Sequence, residues 1–285
     1  SGNMIEESYG IGLPENYYAW TWGDALFVVL DVYRDCDVDE KPKNWDWTIG
    51  ETQYNWLKNT LENSTAKYKF VFAHHLRGQG RGAVDMATGF EWGGYNNNGE
   101  WEFDQYRPGW AMPIHQLMVM HGVNIFFQGH DHLYAREVLD GLVYQETPMP
   151  SDSTYEIGVL ANADAYTDLT LGGTGHLRVT VDPNCVTVDF IRSYLPADTL
   201  DGQHHNGEIA YSYTVGDCSL AVSVPAPDLG GFSISPNPAK DLLRIEAEKA
   251  MPCDRPVDVL DAFGRPLRSA KLMAAGTVCQ MSLDG

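Results

Sequence analysis

The stretch Asn124-Ile125-Phe126-Phe127-Gln128-Gly129-His130-Asp131-His132 is an apolar run that ends in glycine and two imidazoles at spacing i, i+2. On an extended backbone successive side chains alternate in direction, so His130 and His132 share a face, and Gly129 lets the chain leave the strand just before them. A second run, Lys69-Phe70-Val71-Phe72-Ala73-His74-His75, also finishes in histidine. There the same alternation sends His74 and His75 to opposite faces. His74, which continues the strand, is the candidate ligand, and His75 is left a supporting role.

Each run follows a helical pattern. Thr48-Ile49-Gly50-Glu51 reads as a capping box, after which Tyr54, Leu57 and Leu61 recur at helical spacing. Pro113 opens a second helix, with Ile114, Leu117, Met118 and His121 on one stripe and Gly122 closing it. Helix then buried strand, twice, is the pattern of an α/β fold with functional residues at the carboxyl ends of strands. Residues 17–22 and 26–30 read as a hairpin around Gly23-Asp24. Residues 176–181 and 186–191 read as antiparallel strands of a mixed sheet.

The 285 residues carry a formal net charge of −20 and a pI near 4.6, which argues against a nucleic-acid or anionic-membrane partner. No apolar run has membrane-spanning length. The N-terminal residues Ser1 to Glu7 lack the basic and apolar regions of a signal peptide, so the sequence reads as one that has lost a signal or begins inside a longer chain. Five scattered cysteines show no C-x-x-C spacing and allow at most two disulfides, with Cys253–Cys279 favoured. All nine histidines fall before residue 216, and from residue 229 onward there is no Trp, Tyr or His. The Pro- and Gly-rich stretch 223–231 reads as a linker between a domain of residues 1–222 and a small all-β domain of residues 232–285.

Imidazoles converging from two strand ends are the usual ligands of zinc, iron or manganese. The metal candidates are therefore His74, His130 and His132, with His75 and Asp131 as supporting neighbours. His115, His121, His176, His204 and His205 are assigned structural roles. Arg77 and Arg81, in a glycine-rich loop after His75, are placed to reach a substrate phosphate. The aromatic loops around Glu91-Trp92 and Arg107-Pro108-Gly109-Trp110 are candidate pocket walls.

Gly129-His130-Asp131-His132, the upstream Val71-Phe72-Ala73-His74-His75 and the hairpin approach of residues 16–31 together resemble the C-terminal half of a calcineurin-like metallophosphoesterase, the superfamily that includes purple acid phosphatases. The resemblance covers residues 15–215 and implies an α/β sandwich of mixed sheets. It implies a dinuclear centre of two divalent or trivalent ions (Zn, Mn or Fe), with His74 and His130 on one ion and His132 on the other. A metal-activated water then attacks a phosphoester. The family's Asp-x-His, Gly-Asp and Asn-His signatures, the last supplying the acid/base histidine, have no counterpart before Tyr17. This chain is therefore expected to hold half of a site, to lack the N-terminal part of the fold and to be inactive alone.

Phe232-Ser233-Ile234-Ser235-Pro236-Asn237-Pro238, with a later Phe263-Gly264-Arg265, resembles the C-terminal sorting domain of type IX secretion, a small β-sandwich that is here incomplete. That resemblance implies a bacterial cell-surface or extracellular protein whose partners are the secretion machinery and a small phosphoester substrate. The alternative is a non-catalytic surface binding protein that retains the phosphoesterase fold.

Overall fold

A computed structural model describes residues 16–32, 44–77, 80–157, 161–200 and 202–220, together with five later strands between residues 232 and 282. The chain divides into two compact units, Ser1–Ala221 and Val222–Gly285.

In the first unit seven strands form one mixed sheet: β1 (Tyr18–Trp22), β2 (Ala25–Val29), β3 (Tyr68–Phe72), β4 (Ile125–Gln128), β5 (Tyr134–Leu139), β6 (Leu142–Glu146) and β7 (Leu169–Leu171). Their order is β1-β2-β3-β4-β6-β5-β7. β2, β3, β4 and β6 run parallel, while β1, β5 and β7 are antiparallel to their neighbours. The parallel pairs β2–β3 and β3–β4 are crossed over by α1 (Gly50–Glu62) and by the segment ending in a seven-residue helix (Ile114–Met120), while β4 reaches β6 through β5.

Strand alternation decides the two faces. Leu26, Val28, Val71, Phe126 and Tyr144 meet Tyr54, Leu57, Leu61, Ile114, Leu117 and Met118 in a helical layer. Their neighbours Ala25, Phe70, Ile125, Phe127 and Val143 turn the other way, onto Val186, Val188 and Tyr213. These last residues belong to a second sheet, β8 (Gly175–Val181), β9 (Cys185–Arg192) and β10 (Ile209–Gly216), in the antiparallel order β10-β9-β8. The unit is an α/β sandwich: helices, mixed sheet, small sheet. Each fully buried large apolar side chain stabilises it by about 1.5–3 kcal/mol relative to exposure.

Several local expectations need correction. The strands at 176–181 and 186–191 pair antiparallel as expected, but their three-stranded sheet is antiparallel throughout and not mixed, and its apolar face packs onto the larger sheet. Thr48 closes no capping box. Its Oγ1 accepts from the Gly50 N–H two residues on at 2.9 Å, and the Ile49 N–H donates to Glu91 Oε1 at 2.9 Å. The β5–β6 hairpin was not read from the sequence, although Asp140-Gly141, with φ of 49° and 83°, has the backbone of a type I′ turn and the dipeptide that favours it. Cys185 and Cys218 form a disulfide that joins the start of β9 to the end of β10. Cys253 lies outside the described residues, as does the linker at 223–231. Among the described residues no helix is long and apolar enough to cross a membrane.

The second unit is all-β, with the two antiparallel sheets of a small sandwich. One sheet orders Phe232–Ser235, Leu242–Ala247 and Val278–Ser282, and the other pairs Arg255–Leu260 with Pro266–Leu272. The Pro236-Asn237-Pro238 and Phe263-Gly264-Arg265 elements lie outside the described residues.

Candidate metal site at the carboxyl ends of β3 and β4

Backbone pairing runs past the regular strands and fixes the site. Ala73 N donates to Phe127 O at 3.1 Å, Gly129 N donates to His74 O at 2.8 Å, and Thr147 N donates to Gln128 O at 2.7 Å. The segments after β3, β4 and β6 are thus held side by side where parallel α/β sheets place ligands.

Three imidazoles gather there. The ligating nitrogens of His74, His75 and His130 all lie within 4.8 Å of one another. His74 Nε2 stands 3.2 Å from His130 Nδ1, and the His75 ring stacks on that of His130 with centroids 4.8 Å apart. His74 is exposed, His130 half-buried and His75 buried. Among the described residues no carboxylate joins this cluster.

The cluster brings together His74 and His130, expected on one ion, and adds His75 to them. His75 belongs to the cluster, because the chain bends at His74 and strand alternation no longer applies to the pair. His132 stands outside it. His130 and His132 have φ of 89° and 57°, so neither is extended and the i, i+2 rule fails between them. These histidines, and not Gly129, adopt the left-handed backbone at this turn. His132 still lines the same cavity of about 900 Å³ as His74 and His130, together with Phe72, Phe127 and His176. Its Nδ1 is buried without a hydrogen-bond partner. His176, assigned a structural role from sequence, is thus on the cavity wall.

The charged candidates are placed differently from expectation. Arg77 turns into the protein, its guanidinium 4.1 Å from the centre of the Phe90 ring and 3.5 Å from Met86 Sδ, and burial pushes its pKa down to about 10. Arg81 sits 3.6 Å from Asp131 Oδ1. Burial, then the Arg81 charge, then His74 hold the His130 imidazole below its ordinary pKa, which favours the neutral ring that ligates metal. Asp131 faces away from the imidazoles. Its Oδ2 accepts from Gly82 N at 2.7 Å and from the Tyr166 hydroxyl at 2.6 Å, so it anchors backbone and orients no ring directly. Glu91 and Arg107 are no pocket wall. Arg107 donates twice to Glu91 Oε2, at 3.0 and 3.1 Å, and to Trp45 O at 2.6 Å, tying loops on the helical side. His115 is a core residue bonded to the Tyr144 hydroxyl at 2.8 Å and to Asp140 at 3.2 Å.

No family model matches the sequence, and no curated protein matches it. Among solved structures, the chain is similar to the anchor in the inner membrane complex of Plasmodium, at 13% identity and a TM-score of 0.40, covering 70% of this chain and 53% of that one. It is similar to a purple acid phosphatase from yellow lupin (Lupinus luteus) seeds at 15% identity and a TM-score of 0.39, covering 70% of this chain and 32% of that one. A conserved uncharacterised protein of Streptococcus pneumoniae, described as a predicted phosphoesterase, gives 10% identity and a TM-score of 0.24 over 67% of this chain and 97% of that one. The chain thus spans about half of the first of these and about a third of the second. Likeness at this level carries no argument about chemistry, which rests on the side chains themselves.

Proposed function

We propose that this chain carries the histidine side of the metal centre of a phosphoesterase that hydrolyses small phosphate esters. The observation that carries the reading is the 3.2 Å separation of His74 Nε2 and His130 Nδ1, with His75 within 4.8 Å. Two nitrogens at 2.0–2.1 Å from a tetrahedral ion stand about 3.3 Å apart, so the spacing fits ligands of one cation. The donor set suits zinc, manganese or iron. The buried, unpartnered Nδ1 of His132 on the same cavity supports a second position, as two-ion phosphoester chemistry requires.

Bound there, such ions supply Lewis acidity toward a phosphoryl oxygen and lower the pKa of a water. The chain's own residues do the rest. His74, His75 and His130 hold neutral nitrogens toward one point. Arg81 and Asp131 neutralise each other beside it, and Phe72 and Phe127 form an apolar wall on one side of the cavity. Among the described residues no carboxylate joins the histidines, and in this reading the three imidazoles alone do not carry turnover above background. Export to a bacterial surface through the C-terminal module, with the secretion machinery as partner, is part of the same proposal and rests on the resemblance of residues 232–265.

The test is hydrolysis of mono- and bis-p-nitrophenyl phosphate by the whole protein loaded with zinc or manganese. Loss of turnover in His74→Ala supports the reading, and unchanged turnover overturns it. Metal uptake with no phosphoester turnover in the whole protein would favour the alternative, a surface binding protein that keeps the fold, which the absence of a carboxylate from the described cluster also suits.

A further inference from the structure

Beneath the imidazoles lies a buried hydrogen-bonded set that the metal reading does not use. Asp131, between His130 and His132, is held on both backbone and side chain. Its N–H donates to Glu146 Oε1 at 2.9 Å, its carbonyl accepts from Asn162 N at 3.3 Å, and its Oδ2 accepts from Gly82 N and the Tyr166 hydroxyl. Tyr166 also approaches Glu146 Oε2 at 3.3 Å and accepts from Gln128 Nε2 at 3.3 Å. Asp131, Gln128 and Glu146 are almost fully buried, and Tyr166 is 8% exposed. Three segments far apart in sequence, around Gly82, Glu146 and Asn162–Tyr166, thus converge on the one residue that separates the two histidines.

The convergence has a physical reason. His130 and His132 both hold positive φ, a conformation that non-glycine residues keep only where the surroundings over-determine it. Relaxation of either residue would rotate its ring away from the cavity. Clamping Asp131 at its amide and its carboxylate removes that freedom. We propose that Glu146 and Tyr166 are positioning residues for the metal site, fixing Asp131 so that the flanking imidazoles face the cavity. The inference rests on the metal reading of the histidines, and it assigns to two residues outside the cluster a control over metal affinity.

Burial pushes the Glu146 carboxyl well above the usual carboxylate range. Glu146 offers one oxygen to the Asp131 amide and the other to the Tyr166 hydroxyl, and a glutamine side chain places an oxygen and a nitrogen at the same two points.

The experiment compares the 285-residue chain with Tyr166→Phe, Glu146→Ala and Glu146→Gln. In metal-free protein, amide hydrogen exchange is followed over residues 129–133. Zinc affinity is measured by calorimetry, and the melting temperature in chelator reports the fold. Tyr166→Phe and Glu146→Ala should speed exchange at Asp131 and weaken zinc by about 10- to 100-fold, the usual effect of losing a partner behind a metal ligand. Glu146→Gln should return both to wild type. Wild-type exchange and affinity in Tyr166→Phe, which keeps the buried ring, would overturn the proposal, as would a Glu146→Gln protein as impaired as Glu146→Ala. Should the wild-type chain take up no zinc, the metal reading fails on its own, and the exchange comparison alone still decides whether Glu146 and Tyr166 hold the loop.

Discussion

The Nε2 of His74 lies 3.2 Å from the Nδ1 of His130, although 56 residues separate them in sequence. That contact exists because β3 and β4 are parallel neighbours whose pairing continues to His74 O and Gly129 N. Two imidazoles facing each other nitrogen to nitrogen need either a shared proton or a shared cation. The His130 backbone, at φ 89°, is strained for any residue but glycine. His130→Gly in the metal-free protein should therefore melt at or above the wild-type temperature, while its zinc affinity falls by more than the 10- to 100-fold typical of an outer partner. Thermal unfolding in chelator paired with calorimetry checks this. A variant that melts well below wild type would show that His130 serves the fold instead.

Glu146 gives a pH dependence of defined sign. Burial holds its folded pKa well above the ordinary 4.5. Between that value and the folded one, the unfolded chain releases a proton that the folded chain keeps, so stability falls as pH rises. Glu146→Gln removes this slope. The variant should match wild type at about pH 4 and exceed it at pH 7, the gap widening by at most about 1.4 kcal/mol per pH unit. Denaturant melts at the two pH values measure it, and a gap that shrinks toward pH 7 would contradict the assignment.

Arg107→Ala should be strongly destabilising. It leaves Glu91, 1% exposed, without its guanidinium partner, and removing one member of a buried pair costs about 3–5 kcal/mol. Burial already pushes the Glu91 carboxyl upward despite Arg107. The orphaned group should therefore take up a proton, and the loss measured in urea should be smaller at pH 4.5 than at pH 7.

The Cys185–Cys218 bridge closes a loop of sequence separation 33. Chain-entropy arithmetic for such a loop gives about 3–4 kcal/mol. The double change to alanine should lower the melting temperature of the chain truncated after Ala221 by an amount that a reducing agent reproduces in the unmodified protein.

The α/β class was legible because buried parallel strands are written as uninterrupted apolar runs, and Phe70 to Phe72 and Ile125 to Phe127 are such runs. Helix stripes were legible for the same reason of period, Tyr54, Leu57 and Leu61 being fully buried. The site was legible in type but not in membership. Alternation predicts directions only on extended backbone, and the chain bends at His74 and turns left-handed at His130 and His132, so His75 joins His74 and His130. Arg77 misled because a cationic loop residue has the same sequence signature whether it faces a phosphate or stacks on Phe90. Glu146 and Tyr166 gave no signal at all, since their meaning lies in contacts with Asp131 across 15 and 35 residues.

The most direct test of the central claim is a zinc titration of the purified, metal-stripped chain by calorimetry, repeated on His74→Ala. The account predicts saturable uptake by wild type through the His74, His75 and His130 nitrogens, weakening as the buffer is acidified because ligation needs neutral rings, and its loss in His74→Ala. Equal zinc uptake by the two proteins, or none by wild type, would contradict it.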